Sequence, residues 1–178
     1  MRRTVTVMIL VSTFTLGAAI GSFAAKKGGV TSAAWQGVSA AEAAANLLAL
    51  GRDFAGNDSW ENINLARVHY LSGDKAQAEP IFERFGGAKA EAGDLIRIAR
   101  VYAHAGEWDK ARPLFDKVLE LAPKDEDWLI EVGAFYNLNG DREHAEELFA
   151  RGFGLERKSL YNTLTAAGSY LGVLPRRR

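Results

Sequence analysis

Residues 65–82 read LARVHYLSGDKAQAEPIF, and the same frame returns at residues 98–115 as IARVYAHAGEWDKARPLF. Laid over each other without a gap, Ala66/Ala99, Arg67/Arg100, Val68/Val101, Gly73/Gly106, Ala78/Ala111, Pro80/Pro113 and Phe82/Phe115 coincide. A fainter third copy, VGAFYNLNGDREHAEELF, occupies residues 132–149. A period of about 34 residues with a glycine in mid-repeat marks an array of helix–turn–helix units. Such units stack on their neighbours, so the expected fold is all-α, an α-solenoid. Only four prolines, with abundant alanine in the second half, suit a helical body.

The repeated positions carry a packing logic. Small Ala66, Ala99 and Gly133 let the first helix of each pair approach its partner closely. Ala78, Ala111 and Ala145 do the same from the second helix, and Phe82, Phe115 and Phe149 fill the space beyond. Gly73, Gly106 and Gly140, each followed by Asp or Glu, can take the left-handed turn between helices. Pro123 ends one helix, and Asp125 can cap the next. Asp125, Glu126 and Asp127 at a helix start are read as a cap favoured by the helix dipole.

These residues resemble the tetratricopeptide repeat family, whose pattern is a large residue, Leu-Gly, Tyr, then Ala, Phe and Pro. The best match is the second repeat, residues 92–125, with Leu95, Ile98-Ala99, Tyr102, Ala111, Phe115 and Pro123. The third, residues 126–159, has Leu129, Val132-Gly133, Tyr136, Ala145 and Phe149, but Arg157 at the proline place. The first, residues 59–91, keeps Leu65-Ala66, Ala78 and Phe82, and departs with Asn62, His69 and Ala90 at the large, tyrosine and proline places. Before the repeats, residues 39–58 form a leading helix opened by a capping box, Ser39 with Glu42, and expected to stop at Gly51. Ala44 and Leu48 stand one period before Ala78 and Phe82, so this helix reads as the second half of a degenerate leading repeat. After them, residues 160–172 place Leu160, Leu164, Ala167 and Leu171 on one stripe, the pattern of a terminal helix covering the last hydrophobic face. No glycine turn is expected after it; Val173, Leu174 and Pro175 end it, and residues 173–178 form a solvated basic tail.

The N-terminus is a separate object. Arg2 and Arg3 precede a charge-free run, residues 5–20, and small Ser22 and Ala24 follow. That order describes a secretory signal peptide over residues 1–24. Residues 5–25 are also long enough for an uncleaved membrane anchor. Either route places the body in the periplasm, free or held at the inner membrane of a bacterium. Residues 25–38 read as a flexible tether.

Lys plus Arg and Asp plus Glu both total 22, so no basic field points to nucleic acid. The chain has no cysteine, which removes disulfides, thiolate metal sites and cysteine nucleophiles. His69, His104 and His144 lack metal-ligand spacing, and no phosphate loop or nucleophile elbow appears. No enzyme, cofactor or metal is expected. What remains is a groove. The resemblance implies that first helices line a concave surface, into which Trp60, Ile63, Arg67 and Tyr70 of the first repeat point. Ile96, Arg100 and His104 of the second and Ile130 and Asn137 of the third join them. Ile63, Ile96 and Ile130 would form an apolar stripe beside Arg67 and Arg100, suited to a peptide with an acidic side chain or terminal carboxylate. The opposing reading pairs the two arginines with acids such as Glu61 or Glu91 and puts the isoleucines in the inter-repeat core. The lysine and asparagine set of chaperone-binding members is absent. The resulting expectation is a non-enzymatic adaptor of the bacterial envelope; the alternatives are a secretion chaperone and an accessory subunit anchored in a membrane complex.

Overall fold

The structure, a computed structural model, describes residues 29–175. Those residues form a short 3-10 turn at Ser32–Ala34 and eight helices without a strand: α1 Ala40–Ala55, α2 Ser59–Leu71, α3 Lys75–Phe85, α4 Ala92–His104, α5 Trp108–Leu121, α6 Glu126–Leu138, α7 Arg142–Leu155 and α8 Leu160–Tyr170. The three expected repeats are the hairpins α2–α3, α4–α5 and α6–α7, each helix packed most closely on its hairpin partner. The fold is an all-α solenoid of paired helices.

Each hairpin closes where the backbone must be left-handed. Gly73, Gly106 and Gly140 have φ of 96°, 76° and 89°. The following amides, of Asp74, Glu107 and Asp141, donate back to the carbonyls of His69, Tyr102 and Tyr136 at 2.9, 2.9 and 3.0 Å. Those bonds satisfy carbonyls that the helix end leaves orphaned. Ser39 and Glu42 form the reciprocal box and Asp125 accepts from the Trp128 amide, as the sequence predicts. Of the acids after the turn glycines, Asp141 caps α7 through the His144 amide, whereas Asp74 and Glu107 make no side-chain cap bond; Asp58, without a sequence expectation, accepts from the Glu61 amide.

The core runs through the small positions. Ala66, Ala78, Ala99, Ala111 and Ala145 are fully buried. At Gly133 even a methyl group would fall 2.8 Å from Phe149 Cε1 and 3.2 Å from the Ala145 carbonyl, so α6 and α7 meet at a distance only glycine permits. Aromatic rings bridge the repeats: Tyr70, Phe82 and Tyr102 contact one another at centroid distances of 5.3–5.5 Å, in tilted or edge-on arrangements.

Several expectations are corrected. Gly51 does not stop α1; it lies inside the helix with Leu65 Cδ1 3.6 Å from its would-be Cβ, and the chain turns instead at Gly56, φ 52°. The tether is partly ordered. Asn46 Nδ2 donates to the Ala34 carbonyl at 3.1 Å, fixing the 3-10 turn on α1, while Trp35 stays exposed. Helix α8 is rotated from its predicted orientation: Asn162, Thr165, Ala166 and Ser169 face the array, and the leucine stripe faces out. Polar bonds set that rotation, since Asn137 Nδ2 donates to Ser169 Oγ at 2.9 Å and Tyr170 donates to Glu146 at 3.2 Å. A glycine turn does follow. Gly172 has φ 76°, the Val173 amide donates to the Gly168 carbonyl at 2.9 Å, and the chain folds back so that Pro175 is buried. The expected leader or anchor, residues 1–24, and the end of the basic tail, residues 176–178, lie outside the described residues. No helix among the described residues is long and apolar enough to cross a membrane.

Candidate partner-binding site

Helices α2 and α4 wall a concavity lined by Ile63, Asn64 and Arg67 on one side and Arg97, Arg100, Val101 and His104 on the other, with Pro175 of the returning tail. Of the nine predicted groove residues, Ile63, Arg67, Arg100 and His104 meet here. The apolar stripe does not form as expected. Ile63, Ile96 and Ile130 are 1 %, 2 % and 0 % exposed and belong to the core between helices. Ile130 packs against Gly152 of its own second helix, and Ile63 keeps only an edge on the concavity. Tyr70 is also buried, its hydroxyl donating to Glu107 at 2.7 Å in the interface between repeats. Trp60 is exposed at the start of α2, and Asn137 is engaged by Ser169 of α8; neither lines the concavity.

The three arginines of the site differ in how far they are committed. Arg100 donates through Nε and Nη2 to the two carboxylate oxygens of Glu131, each at 2.5 Å. Glu131 is buried, so this guanidinium is consumed by a buried bidentate pair rather than offered to a partner. The partner is thus neither Glu61 nor Glu91 but an acid from the next repeat. Arg97 donates to its own helix, to the Gly93 carbonyl at 2.5 Å, and lies 3.6 Å from Asp94. Arg67 makes no hydrogen bond or ion pair among the described residues. It is half-buried and points into the concavity beside Ile63 and Val101. Asn64 and Arg97 were missed from sequence, although each stands three residues before a predicted cation on the same helix face. Pro175 had no local signal, because its position depends on the turn at Gly172 rather than on anything near residue 67.

A separate polar ladder fastens the repeats. Tyr102 donates to Glu79 at 2.9 Å; Lys110 bridges Glu79 at 3.0 Å and the Tyr70 hydroxyl at 3.1 Å; Lys75 donates to Glu107 at 2.5 Å. The Lys75 hydrogen bond, joined by that of Tyr70, holds the Glu107 carboxyl down at about 2. Burial, joined by Glu79, pushes the Tyr102 phenol well above its ordinary value. At the next interface Tyr136 donates to Asp116, and burial with that carboxylate pushes its phenol up to about 12. This ladder is structural, because every charged group in it faces a partner. The histidines lie on separate helices. His69 Nδ1 lies 3.2 Å from Asp74 Oδ2, and His144 packs edge-on to Tyr136 at 4.4 Å.

Stacked helix hairpins with inward first helices and a residual polar concavity define a repeat solenoid of the protein-interaction class. Residues 92–125 match the tetratricopeptide repeat, and residues 63–84 match it through a second variant of the same repeat. The chain carries tetratricopeptide repeats, and repeats of this kind typically serve as non-catalytic protein-binding modules. No curated protein and no solved structure matches the chain.

Proposed function

We propose that the chain is a non-enzymatic adaptor of the bacterial cell envelope that receives a peptide segment of a partner protein between α2 and α4. The observation that carries this reading is Arg67, a guanidinium without a partner among the described residues, set in a concavity that it shares with Ile63 and Val101 and with Arg97, Arg100 and His104. A half-buried free guanidinium favours a carboxylate that can take two parallel hydrogen bonds. Pro175 supports the choice of ligand, because a residue of the chain itself already rests against these walls. The envelope location rests on residues 1–24, with their basic start, apolar run and small-residue exit.

The test is affinity purification of the full chain from native membranes with mass spectrometry, comparing the wild type with Arg67→Glu. Reversing this charge is expected to reduce recovery of the specific partner at least tenfold, with the helical circular-dichroism spectrum unchanged. Equal recovery would remove the acidic-peptide reading. The N-terminal peptide in the same spectra reports whether residues 1–24 have left the chain; a soluble cytoplasmic pool that retains Met1 would favour the secretion-chaperone alternative.

A further inference from the structure

Helix α8 stands one repeat period after α6, so Ile130 corresponds to Leu164 and Gly133 to Ala167. In α6 those two positions are the seat for α7. A Cβ placed on Gly152 would fall 2.8 Å from Ile130 Cδ1, and one on Gly133 2.8 Å from Phe149 Cε1. On α8 the same seat is empty among the described residues. Leu164 is 63 % exposed, flanked on its stripe by Leu160 at 73 % and Leu171 at 81 %. Among the described residues, helix α8 is therefore the first helix of a repeat without its second helix.

The other end of the array shows the converse. Helix α7 meets α6 through Ala145, Leu148, Phe149 and Gly152, all buried. At the matching places α1 carries Ala44, Leu47, Leu48 and Gly51, of which Ala44 and Leu47 are exposed and the other two half-buried. In α3 and α5 the corresponding Ala78, Phe82, Ala111 and Phe115 are buried by their own first helices. The 3-10 turn does not fill the gap. It is held by Asn46, which at about 100° per residue lies on nearly the opposite side of α1 from Ala44. Among the described residues, helix α1 is a second helix without a first.

We propose that copies of this chain join head to tail, α1 of one copy packing on α8 of the next to complete a hairpin in trans. Side-chain volumes match across the joint. Where α7 sets Phe149 against Gly133, α1 sets the smaller Leu48 against the larger Ala167. Small Ala44 and Ala167, both exposed, suit close helix approach, which a lipid surface has no use for. The joint repeats a contact the chain already makes between α6 and α7. It is heterologous, so it propagates into rings or open filaments instead of closing as a symmetric pair.

The chain has no cysteine of its own, so disulfide trapping is unambiguous. Ala44→Cys and Ala167→Cys occupy places equivalent to Ala145 and Gly133, which touch between α7 and α6. Under mild oxidation the full chain carrying both substitutions should give a ladder of oligomers on a non-reducing gel. An equimolar mixture of the two single variants should give one dimer, and each alone none. Adding Leu164→Glu to the double variant should cut the cross-linked product at least tenfold with helicity unchanged. Sedimentation of the cysteine-free chain provides a second measurement: its mass should rise with concentration, and Leu164→Glu should abolish the rise. A dimer from Ala167→Cys alone overturns the proposal in favour of a symmetric α8 contact. A monomeric mass with no cross-linking overturns it too, whether the leucine stripe then binds acidic phospholipid vesicles or residues 5–20 cover a vacant seat within one chain. None of these outcomes depends on the groove around Arg67.

Discussion

The pair Arg100–Glu131 allows a prediction that separates packing from binding. Glu131 keeps 4 % of its side-chain surface accessible and Arg100 16 %, and both bonds between them are short. Removing one member leaves the other charge with little water and no counter-ion, which costs about 3–5 kcal/mol. Because Arg100 retains some solvent contact, loss of Glu131 belongs at the lower end, about 3 kcal/mol, and loss of Arg100 at the upper, since Glu131 is the more deeply buried partner. For a chain of this size each kcal/mol moves the midpoint by about 2–4 °C, so Arg100→Met should lower Tm by roughly 8–20 °C. Replacing both, Arg100→Met with Glu131→Leu, removes two charges that were costly to bury and should return stability to within about 1 kcal/mol of wild type. Thermal and urea unfolding of the full chain followed by circular dichroism measures all three. The same double variant should still bind the partner that Arg67→Glu loses. A single variant costing under about 1 kcal/mol, or a double variant as unstable as the singles combined, would refute the buried-pair argument. Loss of the partner in a stable double variant would return Arg100 to the binding surface.

Two further outcomes follow from local geometry. Gly152→Ala places a methyl 2.8 Å from the fully buried Ile130 and 3.3 Å from the Glu126 carbonyl, whereas Gly154→Ala meets nothing within 4 Å. The first should destabilise by about 1–2 kcal/mol and the second stabilise by up to about 1 kcal/mol, and the reverse order of melting midpoints would contradict the packing of α7 on α6. Glu107, held at about 2 against an ordinary 4.5, contributes stability that is complete above pH 4.5 and drains away as pH falls toward 2. Glu107→Gln should therefore unfold at lower urea than wild type at pH 7, with the gap closing between pH 4.5 and about 2; parallel curves over that window would show that the carboxylate is not linked to folding.

The repeat period made the hairpins, their glycine turns and the small positions legible, because each copy tests the others. The groove was less legible. Positions that face inward in the family were carried over as though exposure travels with alignment, yet Ile63, Ile96 and Ile130 are buried in the core. The partner of Arg100 lies 31 residues away in the next repeat, beyond any helix-local pairing rule. The leucines of α8 misled for a simpler reason. An apolar stripe points inward only when something is there to cover it, and the hydrogen bonds of Asn137 and Tyr170 hold α8 in the rotation of a first helix whether or not a second one follows.

The tyrosine ladder shows that α8 is such a helix and not a cap. Glu79, Arg112 and Glu146 occupy one register of successive second helices. Tyr102 reaches Glu79 and Tyr170 reaches Glu146, the same bond one and three repeats along. Between them Arg112 stands where a carboxylate is needed, so Tyr136 goes one helical turn further to Asp116 while Arg112 lies over its ring at 5.9 Å. Lys110 over Tyr102 at 5.1 Å and Arg142 over Tyr170 at 5.3 Å complete the same cation–ring pairing in the other two interfaces. A capping helix needs an outer face that water tolerates. Helix α8 instead keeps the inter-repeat bond of a first helix on its inner side and the apolar seat of a second helix on its outer side. Among the described residues its surroundings are complete on one side only, and α1 is deficient in the complementary way.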